Sequence, residues 1–293
     1  MASARDIKRR IKGIKNTGKI TRAMEMISAV KMRRAMADAV ALRPYASTSF
    51  GLLHQLTSAL GADTHPLISV RPVRSELLIL CTSNRGLCGS FNAQVLKQYR
   101  AKVKANDAAG IETVCVVVGR KGEAAVKRSG KKLLASFTEI KTITAESVRP
   151  LALVALSAFQ SGDVDRVSIV YTNFVSALSQ VATTAAVLPT ASISTALTAE
   201  VASGSNLSST YVFEPSAASV VESVVPRLVE SLVLHALLES RASEESSRMA
   251  AMKNATEAAK DIAGGLTLSY NQLRQAKITQ EIAELSAGMA AVE

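Results

Sequence analysis

The stretch Gly13–Lys19 (GIKNTGK) resembles the start of a phosphate-binding loop. In such a loop, backbone amides and a lysine surround a phosphate, and a Ser or Thr after the lysine holds magnesium. Ile20 occupies that last position, and no predicted strand precedes the stretch to form the required strand–loop–helix turn. We therefore predict that the match is accidental and that the stretch is part of a helix.

Other residue types that carry chemistry do not combine into a site. Asn84–Gly89 (NRGLCG) has only two of the three glycines of a dinucleotide-binding fingerprint. The histidines and cysteines lack the spacing of zinc ligands, and no nucleophile, base and acid form a catalytic set. We therefore expect no catalytic residue, no cofactor and no metal in this chain. The residues considered are His54, His65, His235, Cys81, Cys88 and Cys115.

Cysteine use and hydropathy indicate the environment of the chain. All three cysteines lie in or beside apolar runs, which predicts buried free thiols in a reducing compartment. The apolar runs fall well short of the ~20 residues that a membrane helix needs, so we expect no membrane span. Residues 1–12 carry charge where a signal peptide needs its apolar stretch, so we do not expect secretion.

The positive charge of the chain is concentrated at one end. Residues 1–35 contain eleven Lys or Arg against Asp6 and Glu25, a net +9 out of the +11 of the whole chain. A nucleic-acid-binding arm is also basic, but residues 1–44 contain no aromatic side chain to stack on a base. The cations can also form the solvated face of an amphipathic helix. We favour a third interpretation, in which that face meets acidic protein partners.

The apolar pattern predicts two long helices, one at each end of the chain. In each of them, apolar residues recur at helical spacing over a stretch of chain far longer than a compact domain can cover. Helices of this length need a partner along their length, so we predict that they pair as an antiparallel coiled coil. The apolar stripe consists of Ile7, Ile11, Ile14, Ile20, Met24 and Ile27 in the first helix, and Ile262, Leu266, Ile278, Ile282, Leu285 and Met289 in the second.

Short apolar strands alternate with helices in the middle of the chain. This alternation predicts a Rossmann-like, mostly parallel βαβ domain inserted between the two helices, so the fold class is α/β. We place Pro226 in the first turn of the last helix, where its missing N–H costs nothing. The expected strands cover 76–82, 112–118, 132–137, 166–172 and 179–188. The expected regions are an N-terminal helix over 1–60, a linker over 61–75, the sheet domain over 76–190, a surface loop over 191–215 and a C-terminal helix over 216–293.

Several long motifs resemble the gamma subunit of F-type ATP synthases and together cover essentially the whole chain. Near the N-terminus these are Asn16–Arg34 (NTGKITRAMEMISAVKMRR) and Arg43–Ala46 (RPYA). Ser83–Ser90 (SNRGLCGS) is similar to the family's T-D-R-G-L-C-G turn, with Asn84 in place of Asp. The C-terminal motifs are Arg248–Ala255 (RMAAMKNA) and Tyr270–Gly288 (YNQLRQAKITQEIAELSAG), after which Met289 stands where the family usually has Ala.

The resemblance implies a non-catalytic rotor. In the family, the paired helices fill the centre of a hexamer of alternating alpha and beta subunits. The sheet domain sits with the epsilon subunit and the membrane c-ring, and proton flow turns the ring and the shaft. For this chain the resemblance implies those four partners, no nucleic acid, and a peripheral position on the cytoplasmic face of a bacterial inner membrane.

The resemblance also implies which residues touch partner subunits. Met24→Lys should create an ionic contact that impairs coupling, and Arg274 and Glu281 suit charge pairing with a beta-subunit loop. The expected contacts to alpha and beta subunits, called the shaft contacts below, are Lys19, Arg22, Met24, Arg274, Gln275, Gln280 and Glu281. The expected residues of the rotor foot, called the foot residues below, are Arg85, Gly86, Leu87, Cys88 and Gly89.

Two other classes of function compete with the rotor. A nucleic-acid-binding coiled-coil protein predicts DNA binding by residues 1–35 that weakens steeply with salt. A Rossmann-like nucleotide enzyme predicts that the isolated chain binds ATP or NAD, but the missing phosphate fingerprint argues against this class.

Overall fold

The computed structural model describes residues 4–60, 67–138, 140, 142–190 and 216–290. Residues 61–66 of the expected linker and the whole of the expected loop over 191–215 lie outside the described residues. The chain divides into two compact units. We call the unit formed by Met1–Ala29 and Arg248–Glu293 the helix pair, and the unit Val30–Ser247 the sheet domain.

Helices and strands follow one another in the order that the sequence predicted. Each expected strand is present, and its ends lie within two residues of the expected ones. The elements are α1 (Ala4–Leu60), β1 (Ser75–Cys81), α2 (Phe91–Ala108), β2 (Glu112–Val118), α3 (Arg120–Ser129), β3 (Lys132–Phe137), α4 (Ala145–Gln160), β4 (Arg166–Phe174), β5 (Gln180–Leu188) and α5 (Ala217–Ala290).

One five-stranded sheet forms the centre of the sheet domain. Its strand order is β3-β2-β1-β4-β5. The first four strands of the chain run parallel, and β5 pairs antiparallel with β4 at one edge. β1 and β2 are buried on both faces, which is why their sequences are continuous apolar runs rather than alternating ones. The predicted Rossmann-like, mostly parallel sheet is therefore confirmed.

Each face of the sheet has its own apolar core. Leu77 and Ile79 of β1 belong to the first core, which contains residues of α4 and α5. Leu78 and Leu80 point to the other face and belong to the second core, with residues of α2 and α3. The sequence did not predict that the expected linker contributes to this packing. Leu67 and Ile68 are nevertheless fully buried in the first core.

A buried carboxylate joins β1 to β4 in the sheet domain. Glu76 is fully buried, and its Oε2 lies 2.6 Å from Arg166 Nη2 and 3.1 Å from Lys102 Nζ. Ser168 Oγ donates a hydrogen bond of 2.6 Å to Glu76 Oε1. Burial alone would raise the pKa of Glu76, but the bonds from Arg166 and Ser168 and the nearby positive charges outweigh it and lower the pKa below 4.5. Glu76 is therefore ionised at neutral pH.

The helix pair is an antiparallel coiled coil, as predicted. Thr21 Oγ1 lies 2.7 Å from Thr256 Oγ1. A methyl group added at Gly18, three residues earlier on α1, would lie 3.4 Å from Ala259 Cβ, three residues later on α5. Because a step backward along α1 matches a step forward along α5, the two helices run in opposite directions.

The stripe of large apolar residues forms only part of the seam of the helix pair. Ile7 is buried and Met24 is half-buried, but other members of the stripe face solvent. Ile20 and Ile27 are 61% and 54% exposed. Among residues 4–29, the buried positions of α1 are Ile7, Thr21 and Ser28, whose spacings are multiples of seven and so keep one face toward the partner helix. Ile20 and Ile27 each precede a buried position by one residue, which turns them about 100° away. On α5 the seam uses Met252, Ala259 and Ala263.

Pro226 lies inside α5 and not in its first turn, so that expectation is wrong. The helix begins at Ala217, about two and a half turns earlier. A proline inside a helix removes one hydrogen bond and costs about 3 kcal/mol. Val221, Val225 and Val229 are fully buried in the first core around it. Burial of a valine is worth about 1.5 kcal/mol or more, so the packing outweighs the proline.

Candidate functional site

The turn Ser83–Ser90 connects β1 to α2 and is held by side-chain hydrogen bonds. The backbone N–H of Ser83 donates to Asn92 Oδ1 over 3.1 Å. Asn92 Nδ2 donates to Ser83 Oγ over 2.7 Å and to Cys88 Sγ over 3.1 Å. Ser83 Oγ in turn donates to the carbonyl oxygen of Arg85 over 2.6 Å. One side chain at the start of α2 therefore reaches both ends of the turn.

The foot residues of this turn lie in two environments. Cys88 is buried in the second core, which agrees with a packing role and with the prediction of a buried free thiol. The other foot residues, Arg85, Gly86, Leu87 and Gly89, are exposed. Leu87 is 63% exposed, and its φ of +63° places it in the left-handed region. The turn therefore presents an arginine and a leucine to solvent.

Asn84 connects the same turn to α3. Its Oδ1 accepts a hydrogen bond of 3.1 Å from the N–H of Arg120, the first residue of α3. The N–H groups of a helix's first turn have no partner within the helix. The amide oxygen of Asn84 therefore supplies an acceptor at this helix start, as an aspartate would, but without the negative charge.

A small cavity lies where the carboxyl ends of β1 and β2 meet α5. It is lined by Cys81, Val118, Arg241, Glu244 and neighbouring residues, and its volume is about 40 Å³. In open α/β sheets, ligands bind at the carboxyl ends of the strands. Pockets for small molecules measure roughly 300–1,000 Å³, whereas a single water needs about 10–15 Å³. This cavity can hold a few water molecules but not a nucleotide.

The stretch Gly13–Lys19 lies within α1, as predicted, and is not a loop. Its backbone is helical, so it cannot form the amide cradle that holds a phosphate. Among the described residues, no cluster of three or more His, Cys, Asp or Glu side chains is placed to hold a metal ion.

The shaft contacts lie on both helices of the helix pair. Lys19 and Arg22 are exposed on α1, whereas Met24 is half-buried. The four shaft contacts on α5, Arg274, Gln275, Gln280 and Glu281, are all exposed. Because Gly18 lies opposite Ala259, Gln280 and Glu281 lie beyond the part of α5 that faces described residues of α1.

Two shaft contacts on α5 make contacts within their own helix. Glu281 Oε1 lies 3.5 Å from Lys277 Nζ, and Gln280 Nε2 donates to Glu284 Oε1 over 2.8 Å. Such exposed pairs one turn apart contribute about 0.5 kcal/mol or less. A partner molecule can therefore replace them at little cost.

Comparisons with known proteins identify the family. The model of the family described as ATP synthase matches residues 3–292. An ATP synthase gamma chain from Heliobacterium modesticaldum is 38% identical over 293 residues, and one from Acidithiobacillus ferrooxidans is 41% identical over 294. Both alignments cover this chain and its relative completely. The chain belongs to the ATP synthase gamma chain family.

Solved structures share the fold of this family member. A chain in the structure of the central stalk and c-ring of the Tetrahymena thermophila mitochondrial ATP synthase matches with a TM-score of 0.61 and 27% identity. That match covers 80% of this chain and 99% of the other. A chain of the Euglena gracilis mitochondrial ATP synthase matches with a TM-score of 0.69 and 20% identity, covering 99% and 94%.

Both groups of predicted residues, the foot residues and the shaft contacts, were expected from the resemblance to the gamma chain family. The foot residues form one turn of the sheet domain, and the shaft contacts lie along the helix pair. Their contacts with other subunits stay predictions. Among the described helices of this family member, none has the length and apolar character needed to cross a bilayer.

Asn92 was missed because it follows the turn motif, although asparagine is common beside turns and helix starts.

Proposed function

We propose that this chain is the non-catalytic central rotor of a proton-translocating ATP synthase, turning within a ring of alpha and beta subunits. The observation that carries the proposal is the helix pair itself, in a chain whose relatives are ATP synthase gamma chains along their whole length. The pair leaves large apolar side chains in solvent, and beside Ile7 and Met252 its own contact uses small ones such as Ser28, Ala259 and Ala263.

The apolar surface of α5 fits a slim shaft inside a collar. Ile278, Ile282 and Leu285 are spaced by four and three residues, so they share one face of the helix. All three are exposed, and Leu285 is 70% exposed. An apolar face with few hydrogen-bonding groups can contact a surrounding ring without locking to one position. This feature supports contact with the alpha and beta subunits.

The basic surface of α1 supports the same partners. Seven Lys or Arg side chains between residues 8 and 22 are exposed, and they meet the expectation of an acidic protein partner better than that of a nucleic acid, because no aromatic side chain lies among them. These cations are Lys8, Arg9, Arg10, Lys12, Lys15, Lys19 and Arg22. The shaft contacts Lys19 and Arg22 belong to this group.

The sheet domain would connect the rotor to the epsilon subunit and the c-ring through the foot residues. The names of the solved relatives support the c-ring, because they describe assemblies of a central stalk, F1 and a c-ring, whereas the epsilon subunit is expected from the family resemblance. The chain would then lie at the cytoplasmic face of a bacterial inner membrane as a peripheral subunit.

Reconstitution tests this function directly. Purified alpha and beta subunits from the same source are assayed for magnesium-dependent ATP hydrolysis with and without this chain, and the mixture is analysed by size-exclusion chromatography. We expect one copy of the chain per hexamer and a changed, sustained turnover. Folded subunits that neither co-elute nor change turnover would contradict the proposal, and salt-sensitive DNA binding would then favour the nucleic-acid alternative.

Met24→Lys tests the shaft contacts in membranes that contain the complete complex. The half-buried Met24 side chain would be replaced by a cation able to make a new ionic contact with a partner. We expect ATP hydrolysis to continue while proton pumping per ATP hydrolysed falls. Met26→Lys is the matched control, because Met26 is already 59% exposed and lies about 200° around the helix from Met24. Equal pumping by the two variants would contradict the role of Met24.

A further inference from the structure

Leu87 has a backbone conformation that leucine does not adopt without help. Its φ is +63°, a region that costs an L-residue roughly tenfold in population or more. Such a conformation persists only where the surroundings hold it in place. The Leu87 side chain is exposed, so its own packing cannot supply that hold. The conformation must be imposed by the residues on either side.

The Asn92 side chain bonds to the turn on both sides of Leu87, in addition to the backbone bond from Phe91 N–H to the carbonyl of Cys88. The amide nitrogen of Asn92 donates to Cys88 Sγ, directly after Leu87. The same nitrogen donates to Ser83 Oγ, which donates onward to the carbonyl oxygen of Arg85, two residues before Leu87. The amide oxygen accepts the N–H of Ser83 at the start of the turn. Both atoms of one amide group are therefore used to close the turn.

Because two members of this hydrogen-bond network are buried, breaking its bonds has a large free-energy cost. Ser83 and Cys88 are 1% and 2% exposed, so water does not reach their polar atoms while the turn is closed. A buried polar group that loses its partner pays the cost of its desolvation, and this cost exceeds the net gain from one exposed hydrogen bond. Removing the Asn92 amide would leave the N–H of Ser83 without its acceptor.

We propose that Asn92 is a positioning residue that keeps the turn Ser83–Ser90 in one conformation, so that Arg85 and Leu87 are presented to a partner subunit already ordered. The proposal rests on the proposed function, which gives the foot residues a partner. A rotor meets its partners under load, and a surface that must order itself at each contact would waste part of the interaction in lost conformational freedom. Asn92 acts through the backbone and does not itself touch the partner.

Thiol labelling of the full chain measures how readily the turn opens. The chain carries three buried cysteines, one in the turn and two inside strands of the sheet, Cys81 and Cys115. Native chain is treated with N-ethylmaleimide, and labelled peptides are quantified by mass spectrometry. In Asn92→Ala we expect Cys88 to be labelled about tenfold faster or more than in the unsubstituted chain, because the lost hydrogen bonds make local opening easier. Cys81 and Cys115 should stay protected.

Two further variants make this result specific. Asn92→Asp keeps the acceptor for Ser83 N–H but loses the donor to Ser83 Oγ and to Cys88 Sγ. Its labelling rate should therefore lie between that of the unsubstituted chain and that of Asn92→Ala. Gln94→Ala removes an exposed amide that donates to the exposed Ser90 Oγ over 3.1 Å rather than to Ser83 or Cys88, so it should label like the unsubstituted chain. An unchanged rate at Cys88 in Asn92→Ala would overturn the proposal. Equal acceleration at all three cysteines would overturn it too, because it would show a general loss of stability.

Proton pumping separates this inference from the proposed function. In membranes with the assembled complex, Asn92→Ala should lower proton pumping per ATP hydrolysed, and Asn92→Asp should restore part of it. Faster labelling of Cys88 with unchanged pumping would overturn the role of the turn in coupling, although Asn92 would still hold it. If the unsubstituted chain fails to bind alpha and beta subunits, the proposed function fails, whatever the labelling shows.

Discussion

The sheet domain and the helix pair use large apolar side chains in opposite ways. In the sheet domain the largest of them are fully buried, among them Tyr99, Phe159 and Tyr171. In the helix pair several of the largest are exposed, and the seam is built from residues such as Thr21 and Ala259. A sheet domain of this kind is held by its own core. A pair of helices that leaves Ile20 and Ile27 in solvent offers an apolar surface to other molecules.

Polar groups show the same contrast between the two units. In the sheet domain a fully buried carboxylate, Glu76, has three hydrogen-bonding or charged partners. In the helix pair the hydroxyl groups of Thr21 and Thr256 meet across the seam. Breaking the first should therefore damage its unit far more than breaking the second. The predictions below test this difference, beginning with the largest effect.

Glu76→Gln should destabilise the sheet domain by about 3 kcal/mol. Removing one member of a buried ion cluster leaves the remaining charges without compensation, which costs about 3–5 kcal/mol, and the partial exposure of Lys102 and Arg166 places the loss at the lower end. Urea unfolding with hydrogen-exchange mass spectrometry of β1 and β4 measures the loss. Glu112→Gln is the control, since Glu112 is exposed at the start of the adjacent strand β2. Equal losses in the two variants would refute the assigned role.

The same variant predicts how the stability of the sheet domain depends on pH. The pKa of Glu76 is lowered in the folded state, so the unfolded state binds the proton more readily. The stabilisation is therefore complete above pH 4.5 and is lost as the pH falls through the folded pKa. When the pH is lowered by about four units, from pH 7 to pH 3, the free energy of unfolding should fall less steeply in Glu76→Gln than in the unsubstituted chain. Parallel curves would contradict the pKa direction.

Glycine-to-alanine changes should have opposite signs in the two units. In the sheet domain, an added methyl group at Gly122 would lie 2.8 Å from both Thr82 Oγ1 and Val117 Cγ1, so we expect a loss of about 2 kcal/mol from overpacking. At Gly264 in the helix pair nothing lies within 4 Å, so alanine should add about 1 kcal/mol of helix stability. Hydrogen exchange of α3 and of α5 reads the two effects separately. A loss at Gly264 would show that the seam is tighter there than the structure indicates.

Sequence patterns predicted the sheet domain better than the helix pair, for a physical reason. Parallel strands are buried on both faces, so their apolar runs are visible without knowledge of the fold, as in Glu112–Val118. The seam of the helix pair uses Gly18, Thr21 and Ser28, which carry little hydropathy signal. Ile20 and Ile27 carry a strong signal, although they point elsewhere.

The same limit applies to the candidate site. The turn Ser83–Ser90 was recognised because its residues form a continuous motif, and the foot residues follow from that motif. Asn92 lies outside the motif, and its role depends on hydrogen bonds to Ser83 and Cys88 that only the folded chain brings together. Pro226 was misplaced for a related reason, because packing of the first core extends α5 beyond the point where local preference would begin it.

The smallest expected effect is at the hydroxyl pair of the seam. Each threonine hydroxyl also lies within hydrogen-bond distance of a carbonyl oxygen of its own helix, that of Gly18 for Thr21 and that of Met252 for Thr256. The hydroxyl that remains when the other is removed can therefore donate to its own helix. We therefore expect Thr21→Val and Thr256→Val to cost about 0.5–1 kcal/mol each, and the double variant to cost less than their sum. Hydrogen exchange of α5 between residues 252 and 263 gives the three values. Thr17→Val combined with Thr256→Val is the control cycle, because Thr17 is exposed and donates to the carbonyl of Gly13 in its own helix. If the two double-variant cycles give the same coupling free energy, the hydroxyl pair does not set the register of the two helices. The close contact of Gly18 with Ala259 then sets that register by shape.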